Sequence, residues 1–273
     1  MYQCKILADS LNPKNIRLTT FEISFPRIVL SEFNTHRVFS RNSSSSRAIP
    51  IITIINRVKT DPFIPEYWGK NQKGMSADEE LTPEQIEKAK EIWLRSRDSQ
   101  IGFATEFMDL GVHKQISNRL LEVWMYQTVI VSATEWTNFF NLRDEKNAQP
   151  EIRKIAQMMK KAYKSNEPVP LNSGEWHRPL LDDKDVLSAK YGKEDMNKIC
   201  VGRCCRVSYL THDGIRDPQK DIELANKIGE DHHMSPFEHC AKAMVDEKKY
   251  GNFRGWKQYR KYFSGEDVFL PHE

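Results

Sequence analysis

Thirteen residues near the start of the chain, Thr35 to Arg47, read THRVFSRNSSSSR and hold three arginines and five serines. A guanidinium group stays charged at every working pH and offers paired N–H donors that match phosphate or carboxylate. Asn and Ser side chains, together with successive backbone N–H groups, form the kind of nest that holds an anion. The stretch therefore points to a phosphate-bearing ligand, with Arg47 as its charged contact. His36 and Arg37, adjacent in sequence and facing different ways, are then free for a second ligand. Serine runs are usually solvated loops, but a linker needs neither the arginines nor the apolar FPRIVLSEF that precedes them.

A second group ends the aromatic segment TEWTNFFNLR, where Asn138 and Arg143 share a helix with Trp136, Phe139, Phe140 and Leu142. An arginine there either snorkels to solvent or turns a desolvated guanidinium toward a planar polar ligand. A third, HMSPFEHCA, sets His239 behind a Pro-aromatic turn and carries no weight alone. The five cysteines, Cys4, Cys200, Cys204, Cys205 and Cys240, show no metal-finger spacing even with His232, His233 and His239 nearby. Buried, reduced thiols are expected, and no metal. No cysteine lies in the arginine-rich segments to act as a nucleophile. Glycine-rich dinucleotide, P-loop and G-x-S-x-G patterns are missing.

The elements that must position these groups follow from periodicity. RLTTFEISF, with Phe21, Ile23 and Phe25 at period two, predicts a half-buried strand, after which Pro26 opens a helix at RIVLSEFN. The serine run is expected as a loop or helix start, and residues 48–80 as a long ordered excursion. Thr82-Pro83-Glu84-Gln85 is a helix entrance, with the helix running to about Asp109 and Gly111 as its stop. VHKQISNRLLEVWMY spaces Val112, Ile116, Leu120 and Val123 as one helical stripe. TVIVSA reads as a strand, and PEIRKIAQMMKKAY as a helix packed through Ile152, Ile155 and Met159. A polar, proline-broken stretch, 165–198, precedes a strand at CRVSYL, a helix near DIELANKIGE and a basic amphipathic segment, NFRGWKQYRKYF. Strands and helices alternate without a parallel βαβ rhythm. That predicts an α+β fold, mostly antiparallel sheet with long packed helices, as a single domain over residues 1–273.

Charged residues make up 29% of the chain, so a soluble protein is expected. No apolar run approaches the roughly 20 residues that span a bilayer. MYQCKILADS lacks the apolar core of a secretory signal, which makes the cytoplasm the expected location. A net charge of +3 with interspersed signs argues against a nucleic-acid-coating protein.

Taken together, these segments resemble the flavin-dependent thymidylate synthases. That family's signature, R-H-R-x-x-S-x-N-x-x-S-x-R, is matched at every fixed position but the first, where Thr35 stands. NRLLEVW, NFFNLR and AQPEIR match later blocks in the same order. CRVSY and SPFEHCA match blocks that normally precede the signature, so the chain looks permuted, as in phage-type members. The resemblance implies C5 methylation of dUMP to dTMP, with methylenetetrahydrofolate as carbon donor and FAD, reduced by NADPH, as hydride source. No enzyme nucleophile attacks C6 in that family, and its sites are assembled between subunits of a homotetramer.

By residue, the resemblance implies that Arg143 contacts the uracil and favours ionisation at N3. Ser45, Ser46 and Arg47 would grip the phosphate, with Ser43 and Ser44 beside them, and Arg119 would reach the nucleotide from a neighbouring subunit. Glu32 and Thr35 also fall at substrate positions. Flavin positions fall on Thr35, His36, Arg37 and Ser43, and further along on Ser132, Thr134, Asn138 and His239. Glu32 stands where Gln is usual, Thr35 for Arg, Ser43 for Glu, Ser132 for Asn and Thr134 for Arg. Weaker FAD binding, or compensation by Arg254 or Arg260, is the expected consequence. The alternatives are a related modification (hydroxymethylation, or methylation of UMP) and a non-catalytic nucleotide-binding module. Retention of Arg143, Asn138, His36 and Arg37 together speaks against the module.

Overall fold

The period-two stretch forms the middle of a five-stranded sheet in a computed structural model that describes residues 1–182, 184–185, 190–207 and 216–266. β1 (Gln3–Leu11) and β2 (Arg17–Pro26) pair antiparallel, with a bulge between Ile6 and Ala8. β4 (Tyr126–Ala133) flanks β2 on its other side, and β3 (Ser40–Ser43) lies beyond β4, both antiparallel. β5 (Val169–Pro170) adds a short parallel edge to β1. The order is β3-β4-β2-β1-β5.

Two expectations are corrected here. β2 is not half-buried: it is paired on both sides and covered on both faces, so Leu18, Thr19 and Thr20 are as inaccessible as Phe21, Ile23 and Phe25. β1 was not anticipated at all. Its residues are exposed or half-buried until Asp9 and Ser10, so its hydropathy signal is faint.

α1 (Leu30–Asn34) follows a short 3-10 turn after Pro26. The excursion contains α2 (Ile51–Thr60), which buries Ile54, Ile55 and Val58. α3 (Pro83–Asp109) starts at the expected capping box: Thr82 Oγ1 accepts from the Gln85 backbone, and the Gln85 side chain accepts from the Thr82 backbone. Gly111, at φ +76°, supplies the left-handed stop.

The stripe expected next is also corrected. After the single turn α4 (Lys114–Ser117), the chain winds as a 3-10 helix over Asn118–Trp124. A three-residue period buries Asn118, Leu121 and Trp124 and leaves Ile116 and Val123 exposed.

α5 (Thr137–Arg143) and α6 (Pro150–Ser165) cover one face of the sheet. Ile152, Ile155, Ala156 and Met159 pack there with Phe21, Ile23, Val129, Val131 and the α5 aromatics. Truncating Ile155 to alanine in such a core costs about 2–5 kcal/mol.

α7 (Lys193–Arg206) replaces the strand expected at CRVSYL, of which Ser208–Leu210 lie outside the described residues. Cys200, Val201, Cys204 and Cys205 follow helical spacing and are buried, several against α8 (Pro218–Glu230). Gly202 permits that contact, since a Cβ there would lie 2.3 Å from the Asp221 carbonyl oxygen.

A second small sheet takes the order β6-β7-β10-β8-β9. Its strands are β6 (Trp176–His177), β7 (Ala241–Ala243), β8 (Lys249–Tyr250), β9 (Phe253–Arg254) and β10 (Trp256–Gln258). NFRGWKQYRKYF thus becomes two short strands and a 3-10 turn over Tyr259–Tyr262. Among the described residues, no helix is long and apolar enough to cross a membrane.

Candidate functional site

The serine run begins as the strand β3 and keeps its alternation as far as Ser46, with polar residues on both faces. Ser40, Asn42, Ser44 and Ser46 are buried, and each has an inward partner. Gln258 Nε2 donates to Ser40 Oγ at 2.8 Å, and Asn42 Nδ2 donates to the Cys204 carbonyl at 2.6 Å. Gln127 Nε2 donates to the Ser44 carbonyl at 2.6 Å, while Ser46 Oγ donates to Glu122 Oε1 at 2.6 Å. Arg41, Ser43 and Ser45 take the half-buried outer positions, and Arg47 is exposed. The first half of the run is therefore strand, not loop, because β4 offers a ladder from Ser132 to Val129 and the inward hydroxyls find acceptors of their own. Past the strand, the backbone N–H groups of Ser45, Ser46 and Arg47 meet no acceptor among the described residues. Arg47 makes no ion pair among them either. Three free N–H groups at a turn, beside a guanidinium, are the kind of donors that an anion nest uses.

Glu122 clamps that turn from behind. Its Oε1 takes Ser46, Arg119 Nη1 at 2.7 Å and Arg27 Nη2 at 2.9 Å. Sequence reasoning quoted this residue within NRLLEVW and gave it no role; its position three after Arg119 was the available signal.

Arg143 sits at the end of α5, half-buried. Its Nε donates to His36 Nε2 at 2.9 Å, across 107 residues of sequence. Its Nη2 donates to Thr35 Oγ1 at 3.1 Å and the Glu32 carbonyl at 3.3 Å. Nη1 meets no acceptor among the described residues. Burial first, then the charges of Arg143 and Arg41, hold the His36 imidazole down at about 4, so it is neutral and carries its proton on Nδ1. Arg143 thus rests on neutral groups, with no carboxylate among its described partners. Thr35, Arg37 and Asn138 are exposed, and Glu32 is half-buried.

Ser132 and His239 lie deeper, fully buried in a relay between the two sheets. His177 joins Ser10 at 2.9 Å and Thr20 at 2.8 Å, Thr20 meets Ser132 at 2.6 Å, and Ser132 meets His239 Nδ1 at 2.8 Å. His239 Nε2 is buried without a partner among the described residues. His177, in the proline-broken stretch, gave no sequence signal. Thr134 Oγ1 accepts from the Arg254 backbone at 3.2 Å, so Arg254 does lie beside it, with its guanidinium on Glu247 and Glu135. Arg260 is engaged by Glu238 and Glu266 instead.

Ser45 and Arg47 open onto a cavity of about 440 Å³, walled also by Asn42, His113, Cys205, His233 and Ser235. The fold thus brings a cysteine to the arginine-rich segment, although none lies there in sequence. Burial pushes the Cys205 thiol upward, which keeps it protonated and a poor nucleophile. Arg143, His36 and Thr35 do not line this cavity. Among the described residues, no group of three or more His, Cys, Asp or Glu is placed to hold a metal ion.

The α+β arrangement has a known counterpart. A UMP/dUMP methylase, PolB from Streptomyces cacaoi, solved with 5-Br UMP, superposes with a TM-score of 0.50 over 60% of this chain and 88% of that one, at 14% identity. That likeness is one of fold. The model of the family described as thymidylate synthase complementing protein matches residues 14–169, and the chain belongs to that family. The flavin-dependent thymidylate synthase of Thermosipho africanus is 26% identical over 156 residues, and that of Thermosipho melanesiensis 27%. Each match covers 55% of this chain and 64% of the relative, just under two thirds of its length. CRVSY and SPFEHCA fall beyond the family match, yet Asn42 bonds the Cys204 carbonyl and Ser235 reaches Asn42 at 3.4 Å. Cys204, just before CRVSY, and Ser235, the first residue of SPFEHCA, therefore lie directly against the serine strand.

Proposed function

We propose that the protein converts dUMP to dTMP, with methylenetetrahydrofolate as one-carbon donor and NADPH-reduced FAD as hydride source. The observation that carries this reading is the meeting of two family blocks at one guanidinium: Arg143 held by His36 and Thr35, with Nη1 left for a ligand. As C5 of the pyrimidine becomes nucleophilic, negative charge develops on the ring. A fixed guanidinium with no carboxylate beside it stabilises that charge. The Ser45–Arg47 nest holds the phosphate, and Glu122 keeps the nest in shape. No thiol is set to attack C6.

FAD, when bound, supplies the hydride that completes the methyl group. Thr35, Arg37 and Asn138, all exposed, fit its polar edges, whereas Ser132 and His239 act from behind through the buried relay. Among the described residues, the cavity that the nest lines does not include Arg143, which supports a homotetramer in which the nest of one copy faces Arg143 of another.

The test is anaerobic turnover of the full chain with FAD, NADPH, methylenetetrahydrofolate and either dUMP or UMP, with products identified by mass. dTMP from dUMP is expected. A hydroxymethyl product, or methylation of UMP alone, overturns the assigned reaction, and nucleotide binding with no flavin bound and no product makes the chain a binding module.

A further inference from the structure

The cavity beside the serine turn has a wall to which the reading above gives no task. Lining it with the nest are His113, at the entrance to α4, and His233 with Ser235 from the C-terminal block. His113 Nδ1 accepts the backbone N–H of Gln115 at 3.3 Å, which places its proton on Nε2 and leaves that nitrogen a donor. His233 is exposed and makes no side-chain hydrogen bond or ion pair among the described residues. Among the described residues, no carboxylate lines the cavity; the polar groups there are Arg47, two imidazoles, two hydroxyls, two carboxamides and a protonated thiol. Its volume of about 440 Å³ is in the range of small-molecule sites, roughly 300–1,000 Å³. Several donors lining one cavity, with no acidic group among its described residues, suit a tetrahedral dianion.

We infer that His113 and His233 complete the cradle as donors to a phosphate monoester, making the site selective for nucleoside monophosphates over nucleosides. The C-terminal segment, through His233 and Ser235, then supplies one wall of the substrate site. The identity of the nucleotide rests on the proposed methylase function; the anion site rests on the cavity alone.

Isothermal titration of the full chain with dUMP, deoxyuridine and inorganic phosphate separates the two. His113→Ala and His233→Ala should each weaken dUMP and phosphate about 10-fold, and the double variant about 100-fold, as expected for charge-assisted hydrogen bonds. Deoxyuridine binding should not change. His233 is exposed, so its variant should melt with the native protein; Ser235→Ala provides a second, milder probe of the same wall. Variants that bind dUMP and phosphate as tightly as the native chain overturn the inference while leaving the methylase reading intact. A native chain that binds phosphate but not dUMP, and loses phosphate on His233→Ala, upholds the inference and removes the methylase reading. Failure of the native chain to bind either ligand overturns both.

Discussion

Arg143 and Arg203 both lie in the last turn of a helix, α5 and α7, yet the fold treats their charges in opposite ways. Arg203 is 4% exposed and bonded to Asp185 and Asp221, with a further bond to the Leu180 carbonyl. Its charge is fully answered, and it ties α7 to α8 and to the segment before them. Arg143 rests on a neutral imidazole, a hydroxyl and a carbonyl. A partly buried cation held only by neutral acceptors stabilises the fold little, and its field is left for whatever approaches Nη1. The difference separates an arginine answered by carboxylates from the one proposed to face the ligand, and Glu122 is the intermediate case, answering Arg27 and Arg119 while bonding Ser46.

The largest expected effect falls on the structural member. Arg203→Ala strands the buried Asp185 carboxylate and leaves Asp221 only Arg206, and should lower unfolding free energy by about 3–5 kcal/mol, measured by denaturant titration. A loss below about 1 kcal/mol would mean that the pairing is not what joins α7 to α8.

Acid sharpens the same contrast. His36 is held down at about 4, and His177 and His239 at about 3, burial being the first cause in each. Each is neutral in the fold but titrates near 6.5 when unfolded. As pH falls, the unfolded chain therefore takes up these protons first. Stability from the three is fully present above about pH 6.5 and is lost progressively toward pH 4 and then 3. The His36 share is about 3 kcal/mol, and it should shrink in Arg143→Ala because that neighbouring charge is gone. Melting temperatures from pH 7.5 to 4.5 give the slope; a flat profile would contradict neutral, buried imidazoles.

The smallest effect belongs to Glu122. Glu122→Gln keeps a hydrogen-bond acceptor for Ser46 but leaves Arg27 and Arg119 unanswered. KM for dUMP should rise about 10-fold with kcat little changed, since the loss is one of ground-state positioning. A fall in kcat at constant KM would place Glu122 in the chemistry instead.

How much of this was legible in the sequence depended on which pattern carried the information. The capping box at Thr82–Gln85 and the Ile152, Ile155, Met159 stripe were readable because local bonding and a 3.6-residue period determine both. The serine strand was not, because its alternation sets polar against polar, and hydropathy sees no alternation there. The stripe at 112–123 failed because a 3-10 helix repeats every three residues. Arg143 and Arg203 could not be ranked either: Asp185 and Asp221 each lie 18 residues from Arg203, and only the fold shows which cation they answer. The family blocks pointed to His36 and Arg143, whereas the relay of His177 and the cavity shared by His113 and His233 emerged only once distant segments met.

The most direct measurement is single-turnover conversion of dUMP by native and Arg143→Ala protein, both loaded with FAD and matched in oligomeric state. Native protein should form dTMP, and the variant should form it about 100- to 1,000-fold more slowly at an unchanged melting temperature. Equal rates, or a variant that fails only because it unfolds, would contradict a ligand-facing charge at Arg143.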